Sequence, residues 1–294
     1  MQEIKGRSLI HDAARRIYRN RLAMVMFVIL AIYILMALYS VLNIGHIHEL
    51  ATSHKLEDVN RSFIPPFTDR SVPFGTDIFG RNVLYRAIYG SKISMYLGFL
   101  TLLIQIPIAI VLGALSGYYG GFIDDAIQYI MSIIYSVPGL IVILAFILLV
   151  GPSFLTIALA FALTGWVGLA RVIRGAFMQA REFEYVLAAR TLGAKDDRII
   201  FKHILPNVFH YVIISAILTF AGVIMSEVLL AYLGLSVVGV PTWGTMIADA
   251  TQEVSAGRWQ NFLAAVPFIW LFILALNLIG DALRDALDPR LRNL

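Results

Sequence analysis

The sequence contains no cysteine, which excludes disulfides, thiolate metal sites and a thiol nucleophile. Charge is scarce too: 14% of the 294 residues are Asp, Glu, Lys or Arg, against about 25% in a soluble globular domain. There is no Gly-x-x-x-x-Gly-Lys-Ser/Thr loop to cradle phosphates. HExxH spacing, a Gly-x-Ser-x-Gly elbow and a catalytic acid pair are missing as well. These absences give a chain with no ATP site of that type, no catalytic residues and no metal site. Nor is nucleic acid an expected partner, because the basic residues behind the net charge of +4 lie between apolar runs and form no aromatic-interleaved patch.

Apolar residues are abundant, at 59% of the chain with a mean hydropathy of +0.80. A hydrocarbon core of about 30 Å needs around 20 mostly apolar residues in a helix. Six runs satisfy this: residues 22–42, 94–118 with Gln105 and Pro107 inside, 126–150 with Pro138 in its interior, 154–170, 208–235 and 262–280. The expected architecture is an all-α, polytopic membrane protein with six transmembrane helices, since unpaired amides in lipid cost several kcal/mol and barrel alternation is lacking. Lys5, Arg7, Arg15, Arg16, Arg19 and Arg21 precede the first run and place the N-terminus in the cytoplasm. Its length of about 20 residues, without a clean cleavage site, favours an uncleaved anchor over a signal peptide.

Counting crossings divides the chain into a cytoplasmic segment 1–21, a first helix 22–42, an external loop 43–93, a core 94–281 with a cytoplasmic loop 171–207, and a cytoplasmic tail 282–294. The cytoplasmic loop carries Arg171, Arg174, Arg181, Arg190, Lys195, Arg198 and Lys202, and the tail Arg284, Arg290 and Arg292. The external loop runs against the charge rule with Lys55, Arg61, Arg70, Arg81, Arg86 and Lys92, although that rule weakens for long translocated loops.

Residues 181–207 read as two short helices and a turn. Phe183, Val186 and Leu187 share one apolar face, and the first helix ends at Gly193, a residue suited to a left-handed C-cap. Asp196 and Asp197 suit the start of the second helix, Ile200 and Ile204 give its apolar face, and Pro206 is expected to stop it. Such a pair is either a lever for another protein to push or an interfacial helix on lipid headgroups, and the physics alone leaves both open.

The same segment resembles the coupling loop of permease subunits of binding-protein-dependent ABC importers. That loop has the pattern Glu-Ala-Ala, three residues, Gly, nine residues, Ile, one residue, Leu-Pro. Here Ala188, Ala189, Gly193, Leu205 and Pro206 match, while Leu187 stands in the Glu place and His203 in the Ile place. Residues 74–82 (Phe-Gly-Thr-Asp-Ile-Phe-Gly-Arg-Asn), residues 89–94 (Tyr-Gly-Ser-Lys-Ile-Ser) and both termini are similar to the C-type subunit of the oligopeptide, dipeptide and nickel importers. Asn82 replaces the commoner Asp, a change expected to be tolerated.

The resemblance implies a type I ABC importer (MetI-like) transmembrane fold in the bacterial inner membrane, surrounded by membrane lipid. It implies a second homologous permease, two cytoplasmic ATPase subunits that carry ATP and Mg, and an external, periplasmic substrate-binding protein. No cofactor is expected on this chain. Oligopeptides are the first expectation for cargo, with dipeptides, nickel and cell-wall peptides behind. A secondary transporter that works without ATPases is the rival from another class; it predicts several buried charges, whereas Glu227 stands nearly alone. Glu227 is a candidate for a pore or outer-gate contact, with helix packing as the plainer reading. Gln105 and Asn277 are expected to bond between helices, Pro107 and Pro138 to bend theirs, Arg171 and Arg174 to anchor topology, and Trp166, Trp243, Trp259 and Trp270 to sit in interfacial belts.

Overall fold

The computed structural model describes residues 15–53, 60–237 and 239–287. Lys5, Arg7, Lys55, Arg290 and Arg292, used above for orientation, lie outside them. Helices dominate: α1 (Arg21–Val41), α2 (Ile47–Thr52), α3 (Val83–Tyr119), α4 (Gly121–Ser136), α5 (Gly139–Val150), α6 (Phe154–Ala180), α7 (Glu184–Thr191), α8 (Asp196–Tyr232), α9 (Trp243–Val254) and α10 (Gln260–Leu287). Five of these, α1, α3, α6, α8 and α10, are long and apolar enough to cross a membrane, and α4 with α5 makes a sixth candidate bent by 81°. The expected third span is therefore broken at Pro138, because proline has no N–H to continue the ladder and turns the residue before it extended. Val137 is in fact extended. Helix α3 starts at Val83, ahead of the expected residue 94.

The chain forms two compact units, Met1–Gly98 with Ala221–Leu294, and Phe99–Phe220. In the first, α1 is capped by Asn20, whose side chain accepts from the amide of Ala23 at 3.1 Å. It packs on α10 through Tyr33, whose hydroxyl donates to the Phe268 carbonyl at 2.7 Å and whose ring meets Trp243 and Phe272 edge-on. The opposite face of α1, with Val25, Val28, Ile32 and Leu35, is exposed, as a lipid-facing stripe should be. Trp243 is fully buried and donates from Nε1 to the Ala87 carbonyl at 2.9 Å. This corrects the interfacial expectation for Trp243, and Trp166 is buried likewise. Both rings have neighbours to fill against, whereas Trp259 and Trp270 remain exposed.

In the second unit α3 and α6 approach closely at Gly113 and Gly117, a Gly-x-x-x-Gly pair on one face of α3. A Cβ at 113 would lie 2.6 Å from the Ala170 carbonyl oxygen, and one at 117 would lie 2.7 Å from the Phe177 Cβ. Higher on the same pair Gln105 Nε2 donates to the Gly165 carbonyl at 3.0 Å, the interhelical bond expected of it. Asn277 instead donates to the Ile273 carbonyl of its own helix at 2.9 Å, one turn back.

Candidate functional site

The segment 181–206 is an elbow within the second unit, and each of its parts has a local cause. Helix α7 ends in a Schellman motif. Gly193 at φ +80 lets its amide donate to the Arg190 carbonyl and that of Ala194 to the Ala189 carbonyl, both at 3.0 Å. Asp196 and Asp197 occupy the first turn of α8, where carboxylates favour the exposed amides. Residues Ile199–Ile204 form a π-helical turn in which the Leu205 amide reaches the Ile200 carbonyl. The helix does not stop at Pro206 as expected; it continues to Tyr232. In a regular α-helix the proline ring would press on the carbonyl four residues back, and a wider turn placed just before it shifts the ladder.

Val186, Ile199, Ile200 and Ile204 are buried and join Tyr118, Ile173, Phe177 and Ala180 in one apolar cluster, so the elbow is seated on the ends of α3 and α6. Polar bonds fix the same joint. The Tyr118 hydroxyl donates to Asp196 Oδ1 at 2.6 Å, and Arg190 Nη2 donates to that hydroxyl at 3.4 Å. The hydrogen bond from Arg190 to the Tyr118 hydroxyl holds its guanidinium above the ordinary pKa. Arg181 Nη1 donates to the carbonyls of Gly117 and Tyr118 at 3.2 and 3.3 Å, placing a cation at the C-terminal end of α3. Arg174, expected as a topology anchor, makes a two-pronged ion pair with Asp124 at 2.7 and 2.6 Å, and Ser116 donates to the same carboxylate. Arg171 lies over the Tyr135 ring at 4.2 Å.

What the elbow leaves outside is apolar. Leu192 is 87% and Phe201 61% exposed, with Phe183, Tyr185 and Leu187 also exposed. Of the expected apolar face only Val186 points inward; Phe183 and Leu187 do not share its burial, because the short helix touches the core along one edge. Among the motif positions Leu187, Ala188, Gly193 and Pro206 are exposed, and Ala189, His203 and Leu205 are half-buried. The structure thus gathers all seven into one elbow. Tyr118 and Asp124, which help hold it, carry no spacing signal in the sequence and went unnoticed there, and Arg181 entered only as one of the loop's basic residues.

Glu227 lies in the other unit and is 1% exposed. Its Oε1 accepts from Ser236 and Thr242, each at 2.7 Å, and Thr242 is also the N-cap of α9. The carboxylate fills the space where Gly244 has no side chain. In the same unit Asp77 forms a buried polar knot. Its Oδ1 accepts from the amides of Phe79 and Arg81 at 2.9 Å, and its Oδ2 from Arg81 Nε and Arg86 Nη1 at 2.7 Å. Arg86 also reaches Asp249 at 3.3 Å, and the knot borders a cavity of about 320 Å³. Asn82 caps α3 by accepting from the Leu84 amide at 3.0 Å, a bond that an Asp oxygen would make equally.

The family profile described as binding-protein-dependent transport system inner membrane component matches residues 109–293. A second, described as the N-terminal TM domain of oligopeptide transport permease C, matches residues 8–47. The chain belongs to this family of ABC importer permeases. It is similar to a dipeptide transport system permease of Bacillus subtilis, 38% identical over 97% of this chain and 87% of that protein. An oligopeptide transport system permease of the same organism is 36% identical over 98% of this chain and 92% of its own length. An oligopeptide permease of Escherichia coli K12 is 30% identical over 98% and 93%. As a permease of this family the chain is a multi-pass membrane protein with the type I importer fold, and ATP hydrolysis belongs to separate subunits.

Proposed function

We propose that this permease pairs with a second, related permease to enclose a path for peptides, oligopeptides first, and that the elbow is where force enters. In this reading both termini and the elbow are cytoplasmic. Two ATPase subunits, holding ATP and Mg, dock over Leu187, Ala188, Ala189, Gly193, His203, Leu205 and Pro206. A periplasmic binding protein delivers cargo at the external loop 43–93. Glu227 serves the outer gate by holding Ser236 and Thr242, and with them the start of α9, against the end of α8.

The observation that carries the reading is an apolar surface left exposed on a frame fixed from within. Leu192 and Phe201 are among the more exposed large side chains of the elbow, yet the backbone beneath them is capped, bonded and seated on α3 and α6. A lipid-lying helix needs no such frame, whereas a lever must not bend when pushed. Alternating access then follows from differential contact: ATPases that press the elbow in one state and release it in the other bias the path between two openings.

The test is Gly193→Val in the assembled complex. The substitution meets no neighbour, but φ +80 strains a β-branched residue by about 1–2 kcal/mol. Insertion and permease pairing should persist while ATPase association or peptide-stimulated hydrolysis falls. Normal assembly and uptake in that variant would count against the elbow as the coupling element.

A further inference from the structure

Helix α4 is exposed over most of its circumference, and its exposed surface divides into two sectors. Phe122, Ala126, Ile130 and Ile133, at spacings of four, four and three, form an apolar strip, with Phe122 87% exposed. Beside it Asp125, Tyr129, Ser132 and Ser136 recur at four, three and four, all exposed, with Tyr129 at 70%. Both strips lie away from Ile127 and Met131, the two buried residues of the helix. A helix that faced only lipid would have no reason to segregate four polar side chains along its length, since polar groups in a span sit toward the protein interior or water.

A second observation comes from the backbone. The polar strip ends at Ser136, where the candidate span breaks and bends by 81°. Val137, Pro138 and Gly139 at the break are exposed, Val137 at 43%. The last carbonyls of α4 have no continuing helix to bond them. Non-helical backbone at membrane depth survives only where protein buries it or where it borders a water-filled space. This chain does not bury it, and the strip that leads into it is polar.

We propose, resting on the reading of the chain as a peptide permease, that this sector and the break beyond it line the aqueous path and contact the main chain of the cargo. The hydroxyls of Ser132 and Ser136 donate to the carbonyls of Gln128 and Ile133 at 2.8 and 2.7 Å. Their protons are committed, so their oxygens face outward as acceptors, which complements the amide N–H groups that every peptide carries whatever its side chains. Asp125, just past the first turn of α4, adds an exposed carboxylate for a peptide ammonium. Acceptors of this kind hold a peptide loosely and without regard to sequence, as a path must.

The chain's lack of cysteine makes the test direct. Single-cysteine variants Ser132→Cys and Ser136→Cys, with Ile130→Cys and Leu149→Cys as controls from the apolar surface, are reconstituted in bilayers with the partner subunits and treated with a charged, membrane-impermeant methanethiosulfonate. Labelling is read by mass on this chain alone, after each variant is checked for peptide uptake. Only a hydrated thiol ionises and reacts, so positions 132 and 136 should label about tenfold faster than 130 and 149. A peptide cargo and an ATP-trapped state should each change those rates. Equal, slow rates at all four positions would overturn the proposal in favour of lipid. Silence at 132 and 136 with a reactive 130 would overturn it in favour of burial against the second permease. Either failure with uptake intact leaves the importer reading standing; loss of ATP-dependent uptake by the unmodified chain would instead remove that reading.

Discussion

The elbow and the polar knot treat exposure in opposite ways. The knot buries charge: Asp77 is fully buried and accepts from two guanidinium groups and two amides. The elbow keeps apolar groups in the open, with Leu192 the extreme case. In both, bonds to the backbone fix the local chain. The contrast separates frame from working surface: what the knot holds is lost as stability when disturbed, whereas what the elbow shows is lost as association.

Asp77→Ala should have the largest effect. It removes the carboxylate that Arg81 and Arg86 share, leaving Arg86 its longer contact to Asp249, and breaking such a buried pair costs about 3–5 kcal/mol. Thermal unfolding in detergent, or the amount inserted in the membrane, should fall sharply, and Asp77→Asn should recover part of it. Glu227→Ala comes next, since Ser236 and Thr242 lose an acceptor at about 1–3 kcal/mol. Glu227→Gln should retain most stability, and a complete loss of uptake at normal stability in Glu227→Gln would show that the charge itself acts in the path. Arg174→Ala, which opens the half-buried pair with Asp124, should cost about 2 kcal/mol and loosen the elbow's seat. Leu192→Asp should cost least, near zero in unfolding, because an exposed side chain gives up little. Its effect should appear as lost ATPase association. A large melting shift at 192, or none at 77, would dissolve the distinction.

Much of the fold was legible because length and hydropathy report membrane crossing directly: α3, α6 and α10 each contain an expected run, and α1 and α8 cover all but the last residues of theirs. The breaks were less legible. Proline signals trouble without saying which kind: Pro138 interrupts a span by 81°, while Pro206 is absorbed into a continuing helix by the π turn before it. The elbow was readable through Gly193 and the two aspartates, whose roles are local. Its attachment was not, since Tyr118 and Asp196 meet across distant sequence with no periodicity to mark them. The knot shows the same limit. The stretch 74–82 stood out as a family likeness, but the physical reason, Asp77 between Arg81 and Arg86 with Asp249 beyond, depends on a partner far along the chain.

The most direct test replaces Leu192 with a photo-crosslinking amino acid in the complete complex and identifies the captured chain by mass. An adduct with an ATPase subunit, formed more readily when ATP is bound, is the expected result. An adduct only with lipid or with the external binding protein would contradict the claim that force enters the permease there.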